Sequence, residues 1–159
     1  MTMQLVIGNK RYSSWSLRAA LVLELTEEPY AEVLIRLREA DTRARILAYS
    51  ATGKVPLLIT EDGPVWDSLA IAEYLAETYP EAHLWPRGEY ARALARSACA
   101  EMHSGFVALR THLPMDLAHD QALVDTPAEA LADIERIIAL WTQCRSHFGA
   151  DGAFLFGHA

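Results

Sequence analysis

The chain reads as an α/β domain of order β-α-β-α-β-β-α followed by an all-helical region, and three observations predict this. Met3-Gln4-Leu5-Val6-Ile7 is nearly all apolar, the mark of a strand buried on both faces. Pro56 to Thr60 and Val65 to Asp67 flank Glu61-Asp62-Gly63-Pro64, in which Asp-Gly is a tight hairpin signal. Beyond Pro86 strand patterns cease, and apolar residues recur at helical spacing.

Taken in order, the first strand is followed by the polar loop Asn9 to Ser16 and a helix over roughly 17–26, with Ser16 or a neighbouring serine as its cap. Residues 30–37 carry Val33, Leu34, Ile35 and Leu37 and form a second strand, parallel to the first because a strand-helix-strand crossover of this length makes it so. A short charged helical segment over 41–49 leads to Gly53, and the hairpin follows. A helix from Ser68 (Leu69, Ala72, Leu75, Ala76, Tyr79) is stopped by Pro80. Leu94, Ala98, Met102, Phe106, Leu109 and Leu113 mark one face of a single long helix over 90–113. Thr126-Pro127-Ala128-Glu129 is a capping box with proline at the first helical position, opening a second helix that carries Leu131, Ile134, Ile138, Trp141 and Phe148. The expected domains are 1–80, a linker over 81–89, and a partial all-helical domain over 90–159.

With 159 residues, 52% apolar and 22% charged, the composition is that of an ordinary soluble globular chain. A net charge of -7 without a basic run argues against nucleic acid and anionic membrane surfaces as partners. No apolar stretch approaches the ~20 residues of a membrane span, and the first residues are too short and uncharged for a signal peptide. A cytoplasmic location is expected. Cys99 and Cys144 lack partners at metal or redox spacing, so no metal is expected, and both fall on apolar helical patterns as small core residues. Trp66, Trp85 and Trp141 are expected in a core or an interface.

The chemistry concentrates in Gly53-Lys54-Val55-Pro56 and in Asp67-Ser68. Proline lacks the amide a central strand needs, so Pro56 belongs at the first residue of its strand. A cis Val55–Pro56 bond would leave the N–H and C=O of Val55 facing outward, free to pair with an extended peptide as a neighbouring strand would. At Asp67-Ser68 a strand gives way to a helix, where backbone amides and the Ser68 hydroxyl suit a carboxylate and Asp67 suits an ammonium. Taken singly, these features have structural explanations: Pro56 stiffens an edge and Ser68 caps a helix. Together they ask for one small ligand with an amide, a carboxylate and an ammonium, and glutathione is such a ligand.

On these residues, and on the loop Ser13-Ser14-Trp15-Ser16, the chain resembles the glutathione S-transferase superfamily, serine-type and zeta-like. The resemblance implies a thioredoxin-like N-terminal domain and the first two helices of the all-α C-terminal domain. It implies glutathione as co-substrate, a small electrophile as second substrate, a role in detoxification and a homodimer. Val55 would pair with the cysteinyl part of glutathione beside cis Pro56, and Lys54, with a basic residue of the 43–45 segment, would approach the glycyl carboxylate. Asp67 and Ser68 would hold the γ-glutamyl end, although glutamate, or glutamine in zeta-like members, is the commoner residue at position 67.

Ser13 matches the serine that donates to the glutathione sulfur; Ser14 is its nearest rival and Tyr12 a more distant one. Trp15 stands where zeta-like members have cysteine, against isomerase chemistry that depends on that cysteine. Tyr12, Trp15 and His103 are candidates to line the second-substrate pocket. A free thiol near ~8.5 must fall by about two units to be mostly thiolate at neutral pH, which needs roughly 2.7 kcal/mol of preferential thiolate stabilisation. One hydroxyl hydrogen bond and a helix N-terminus are of that order.

The alternative is a binding or protein-interaction module with this fold and little activity. The sequence stops after Phe154-Leu155-Phe156-Gly157-His158-Ala159, where transferases continue into a further capped helix. A truncated version of a longer chain, or a partner covering the exposed apolar face, is therefore expected.

Overall fold

The computed structural model describes residues 2–118, 125–149 and 152–157, so His158 and Ala159 of the final stretch lie outside it. The chain divides into two compact units, one through Ala82 and one from His83.

In the first unit, β1 (Met3–Ile7), α1 (Ser14–Glu24), β2 (Tyr30–Leu34), α2 (Thr42–Leu47), β3 (Leu57–Ile59), β4 (Pro64–Val65) and α3 (Ser68–Thr78) follow in the expected order. A 3₁₀ turn over Pro80–Ala82 ends the unit. The four strands form one mixed sheet, β2-β1-β3-β4. β1 pairs parallel with β2 from Met3↔Tyr30 to Ile7↔Leu34, and antiparallel with β3 from Gln4↔Ile59 to Val6↔Leu57. It is a central strand, and its side chains on both faces, Leu5, Val6 and Ile7, are buried, which matches the unbroken apolar run.

Side chains alternate across a strand. Val6 faces Ile35, Ile46 of α2 and Leu57, with Val33, Leu37, Val55 and Ile59 packed around them. α1 and α3 pack against each other and bury Ala19, Leu23, Ile71 and Leu75.

Two local expectations shift. α1 begins at Ser14 rather than near Leu17, with Ser13, one of the neighbouring serines, in the capping position and no side-chain cap bond. Ser16 lies inside the first turn. The second strand ends at Leu34, although the Ile35 amide still donates to the Ile7 carbonyl at 2.9 Å.

The second unit holds α4 (Glu89–Ser104), α5 (Val107–His112) and α6 (Ala128–Phe148). The single helix expected over 90–113 is two helices. Gly105 caps α4 in extended geometry and Phe106 takes φ 58, so the chain turns there while Phe106 stays buried. Helical spacing continues across the break, which hides it from periodicity alone. The capping box at 126–129 does not form either: Pro127 is itself the cap residue, without a side-chain hydrogen bond.

α6 is tied to α5 by the Leu109 amide donating to Asp133 Oδ2 at 2.9 Å. It is tied to α4 by Arg136, which donates to both oxygens of Glu101 at 2.6 and 2.7 Å. Cys144 is buried as expected, but Cys99 is exposed, because it lies on the outward side of α4. Trp66 and Trp141 are 51% and 49% exposed and are not core residues, whereas Trp85 is half-buried.

Candidate functional site

Strand pairing brings three segments to one end of the sheet. Val6 lies opposite Leu57 in an antiparallel pair, so Val55 and Pro56 run past the C-terminal end of β1, where Gly8 opens the loop to Ser13. Leu58 lies opposite Val65, so the chain leaves β4 through Trp66 and Asp67 toward the same end. β2 also finishes there, since Ile7 pairs with Leu34. The N-termini of α1 and α3 thus open beside the sheet end that holds Val55. Ligands of open α/β sheets settle outside strand ends of this kind.

The Val55–Pro56 bond is cis, as expected, and so is Trp66–Asp67, which the sequence did not signal. The Val55 side chain packs on the Val6 cluster, which fixes its backbone. Among the described residues neither its N–H nor its C=O makes a hydrogen bond. Pro56 is buried and Lys54 exposed. Of the basic segment, Arg43 lies against Gly53, whose φ of +64 disfavours a side chain and where an added Cβ would sit 3.0 Å from the guanidinium. Arg45 is turned to the Leu34 carbonyl at 3.5 Å.

Asp67 has a second task. It is the cap residue of α3, its Oδ1 accepting the Leu69 amide at 3.0 Å, so the cap expected of Ser68 belongs to its neighbour. Ser68 is the first helical residue, 8% exposed, and its hydroxyl makes no hydrogen bond among the described residues. That hydroxyl is open to an incoming acceptor.

The three thiol-activating candidates differ in what already holds them. The Tyr12 hydroxyl donates to the Leu37 carbonyl at 3.2 Å, and Arg38 lies 4.8 Å over its ring, so its proton is committed. Ser14 is half-buried, with no side-chain hydrogen bond among the described residues. Ser13 is 8% exposed, and its hydroxyl donates to Ser16 Oγ at 2.8 Å. Ser16, 3% exposed, also accepts the Gly8 amide at 3.0 Å. The sequence offered Ser16 only as a cap; its i, i+3 spacing from Ser13 on a helical turn was the available signal.

Trp15 is half-buried, with the Arg18 guanidinium 4.3 Å over its ring. His103 belongs to the second unit, half-buried in the last turn of α4. Among the described residues no cluster of His, Cys, Asp and Glu could hold a metal ion, and no helix is long and apolar enough to cross a membrane.

Residues 12–78 match the family model of the glutathione S-transferase N-terminal domain. A probable maleylacetoacetate isomerase of Caenorhabditis elegans is 34% identical over 92 residues, which cover 58% of this chain and 42% of that protein. Glutathione S-transferase GstB of Escherichia coli K12 is 29% identical over 140 residues, covering 78% and 67%. The chain thus spans less than half the length of the worm relative. A glutathione transferase homologue from Burkholderia, solved with bound glutathione, superposes with a TM-score of 0.71 at 22% identity, over 99% of this chain and 72% of that one. The shared fold is a thioredoxin-like domain followed by a helical region. What the chain shares with these proteins is, over residues 12–78, a glutathione S-transferase N-terminal domain.

Proposed function

We propose that the chain binds glutathione at this end of the sheet and holds its sulfur as a thiolate for attack on a small electrophile. The observation that carries this reading is the convergence of three open groups at one sheet end: the unpaired backbone of Val55, the free hydroxyl of Ser68 at the start of α3, and the serines at the start of α1. Val55 would take the cysteinyl backbone as a short added strand. Ser68 and the first amides of α3 would take the γ-glutamyl carboxylate, Asp67 its ammonium, and Lys54 with Arg43 the glycyl carboxylate. Ser13 would donate to the sulfur, acting as an electrostatic stabiliser and never as a covalent nucleophile.

The reading extends to a glutathione-binding domain over 1–80, a linker over 81–89 and a helical domain from 90. It also extends to a homodimer in the cytoplasm. The likeness to maleylacetoacetate isomerases does not carry isomerase chemistry here, because Trp15 occupies the position of the cysteine which that chemistry uses in zeta-like members.

One observation favours the non-catalytic alternative. Ser13 is nearly buried and its proton already has an acceptor in Ser16. Calorimetric titration with reduced glutathione, combined with the ultraviolet thiolate band against pH, separates the two readings. Binding with a depressed thiol pKa and turnover of a conjugation substrate supports the enzyme; binding with an ordinary thiol pKa and no turnover supports the glutathione-binding module; no binding removes both of these and leaves a protein-interaction module.

A further inference from the structure

We infer that Ser16 is a positioning residue for thiol activation: the Gly8 amide, Ser16 and Ser13 form a reversible chain of hydrogen bonds that frees the Ser13 hydroxyl to donate a hydrogen bond to the glutathione sulfur. The inference rests on the reading that Ser13 is the hydroxyl facing that sulfur.

A serine hydroxyl has one proton and two lone pairs. Ser16 Oγ accepts twice, from the Gly8 amide at 3.0 Å and from Ser13 at 2.8 Å, so its own proton is not used in either bond. Ser13, conversely, spends its proton on Ser16 while its lone pairs remain open. An arriving thiolate is the stronger acceptor, since hydrogen bonds to an ionised partner are roughly twice as strong as neutral ones. It draws the Ser13 proton to itself. Ser16 then turns its proton to Ser13 Oγ, while the Gly8 amide continues to donate to Ser16. Each proton stays on its own oxygen or nitrogen, only the direction of one bond reverses, and no buried polar atom is left without a partner.

Both serines are almost fully buried, so water does not compete for these bonds. In such surroundings each bond polarises the next, by about 10–30% per bond. Ser13 backed by Ser16 is therefore a better donor than Ser13 alone. The same arrangement answers the objection that the Ser13 proton is already taken, because it is held in reserve by an acceptor that can become a donor.

Gly8 is part of the device. A Cβ there would stand 3.1 Å from Ser13 Oγ and 2.5 Å from Leu37 Cδ1, so only glycine lets the strand end approach this closely. Ser16 also departs from the usual habit of a serine within a helix, bonding the preceding strand and a neighbouring side chain instead of the carbonyl one turn back.

The test measures the pKa of bound glutathione by its thiolate band, and glutathione affinity by calorimetry, in the 159-residue chain and in Ser13→Ala, Ser16→Ala, Ser16→Cys and Ser16→Thr. Ser13→Ala should raise the pKa most. Ser16→Ala should raise it by about 0.5–1 unit, about three- to tenfold less thiolate when the thiol is mostly protonated, with glutathione affinity kept within about threefold. Ser16→Thr, which keeps the hydroxyl, should restore the wild-type value. Ser16→Cys, close in size and a weak hydrogen-bonding group, should fall between and serves if Ser16→Ala does not fold. A wild-type pKa in Ser16→Ala or Ser16→Cys, alongside a raised value in Ser13→Ala, overturns the chain and leaves the role of Ser13 standing. An unchanged pKa in Ser13→Ala overturns both.

Discussion

The two units bury their apolar residues very differently. Leu5, Val6, Leu23, Ile35, Leu57, Leu58, Ile71 and Leu75, the largest fully buried side chains among the described residues, all belong to the first unit. In the second, Ala95, Phe106, Ala130, Ile137 and Cys144 are buried, a smaller set; exposed apolar side chains occur in both units, Leu21, Leu25 and Trp66 in the first and Tyr90, Val107, Ile138, Trp141 and Phe154 in the second. A sheet covered by helices on both faces closes its own core, whereas each helix of a small helical set offers only one stripe to its neighbours. α6 shows this directly: it buries Ala130, Ile137 and Cys144 on one stripe and presents Leu131, Ile138 and Trp141 on another. The proposed chemistry sits on the unit that can hold atoms still.

The largest expected effect tests that contrast at its root. Leu58→Ala in β3 should cost about 2–5 kcal/mol in chemical denaturation, the range for emptying a packed site. Ile138→Ala should stay within about 0.5 kcal/mol, as exposed substitutions do. Equal costs would break the comparison.

Next comes Asp67, where stability and ligand binding meet. Asp67→Ala removes the cap of α3 and should cost about 1 kcal/mol, together with a loss of glutathione affinity. Asp67→Asn keeps a capping oxygen and removes the charge, so thermal stability should hold while affinity still falls. If affinity follows stability in both variants, Asp67 is a cap alone.

The units should also respond to opposite ends of the pH scale. The Tyr30 hydroxyl, which donates to Glu24 Oε1 at 2.6 Å, is pushed up to about 12 by burial and by Glu24 and Glu32. A raised folded value supports the fold below the ordinary tyrosine range near ~10, and that support is lost as pH climbs through about 12. Tyr30→Phe should flatten this alkaline loss in the first unit. The Arg136 hydrogen bonds hold the Glu101 carboxyl below its ordinary range. That contribution is present above the ordinary carboxylate value and disappears as pH falls through the lowered one, so Glu101→Gln should flatten the acid limb of the second unit. The effect is small, because the pair is partly exposed.

The smallest effect is chemical. Cys99 should react with a thiol reagent in the native chain and Cys144 should not, being buried with its thiol pushed up by that burial. Simultaneous labelling would mean that α4 and α6 separate readily.

Much of the first unit was legible because its signals are local and agree with one another. The apolar run at Leu5 to Ile7 marks a central strand, Asp62-Gly63 marks the hairpin, and Asp67-Ser68 marks a helix start. Val55–Pro56 was legible for the same reason, since proline at a strand entrance leaves few arrangements. What escaped depends on contacts remote in sequence or on competition between near-equal local choices. The break at Gly105 and Phe106 preserves helical spacing, so only the backbone reveals it. The capping box at Thr126 lost to Pro127 as the cap residue. The choice among Tyr12, Ser13 and Ser14 was open on paper, because it turns on where Leu37 and Ser16 stand, and Leu37 arrives from a different strand.

The central position of β1 has a consequence for how the protein is made. Its parallel neighbour begins at Tyr30, and its antiparallel neighbour reaches Gln4 only through Ile59, a separation of about 55 residues. At a synthesis rate of about 5–20 residues per second, the strand that anchors the sheet waits roughly 3 to 11 s beyond the ribosome before its second edge is satisfied. During that interval Leu5, Val6 and Ile7 form an open, apolar β edge of the kind that recruits other nascent chains. Yield in a cell should therefore depend on holdase chaperones and on translation speed across residues 8–59, even though the finished sheet has no such edge at β1.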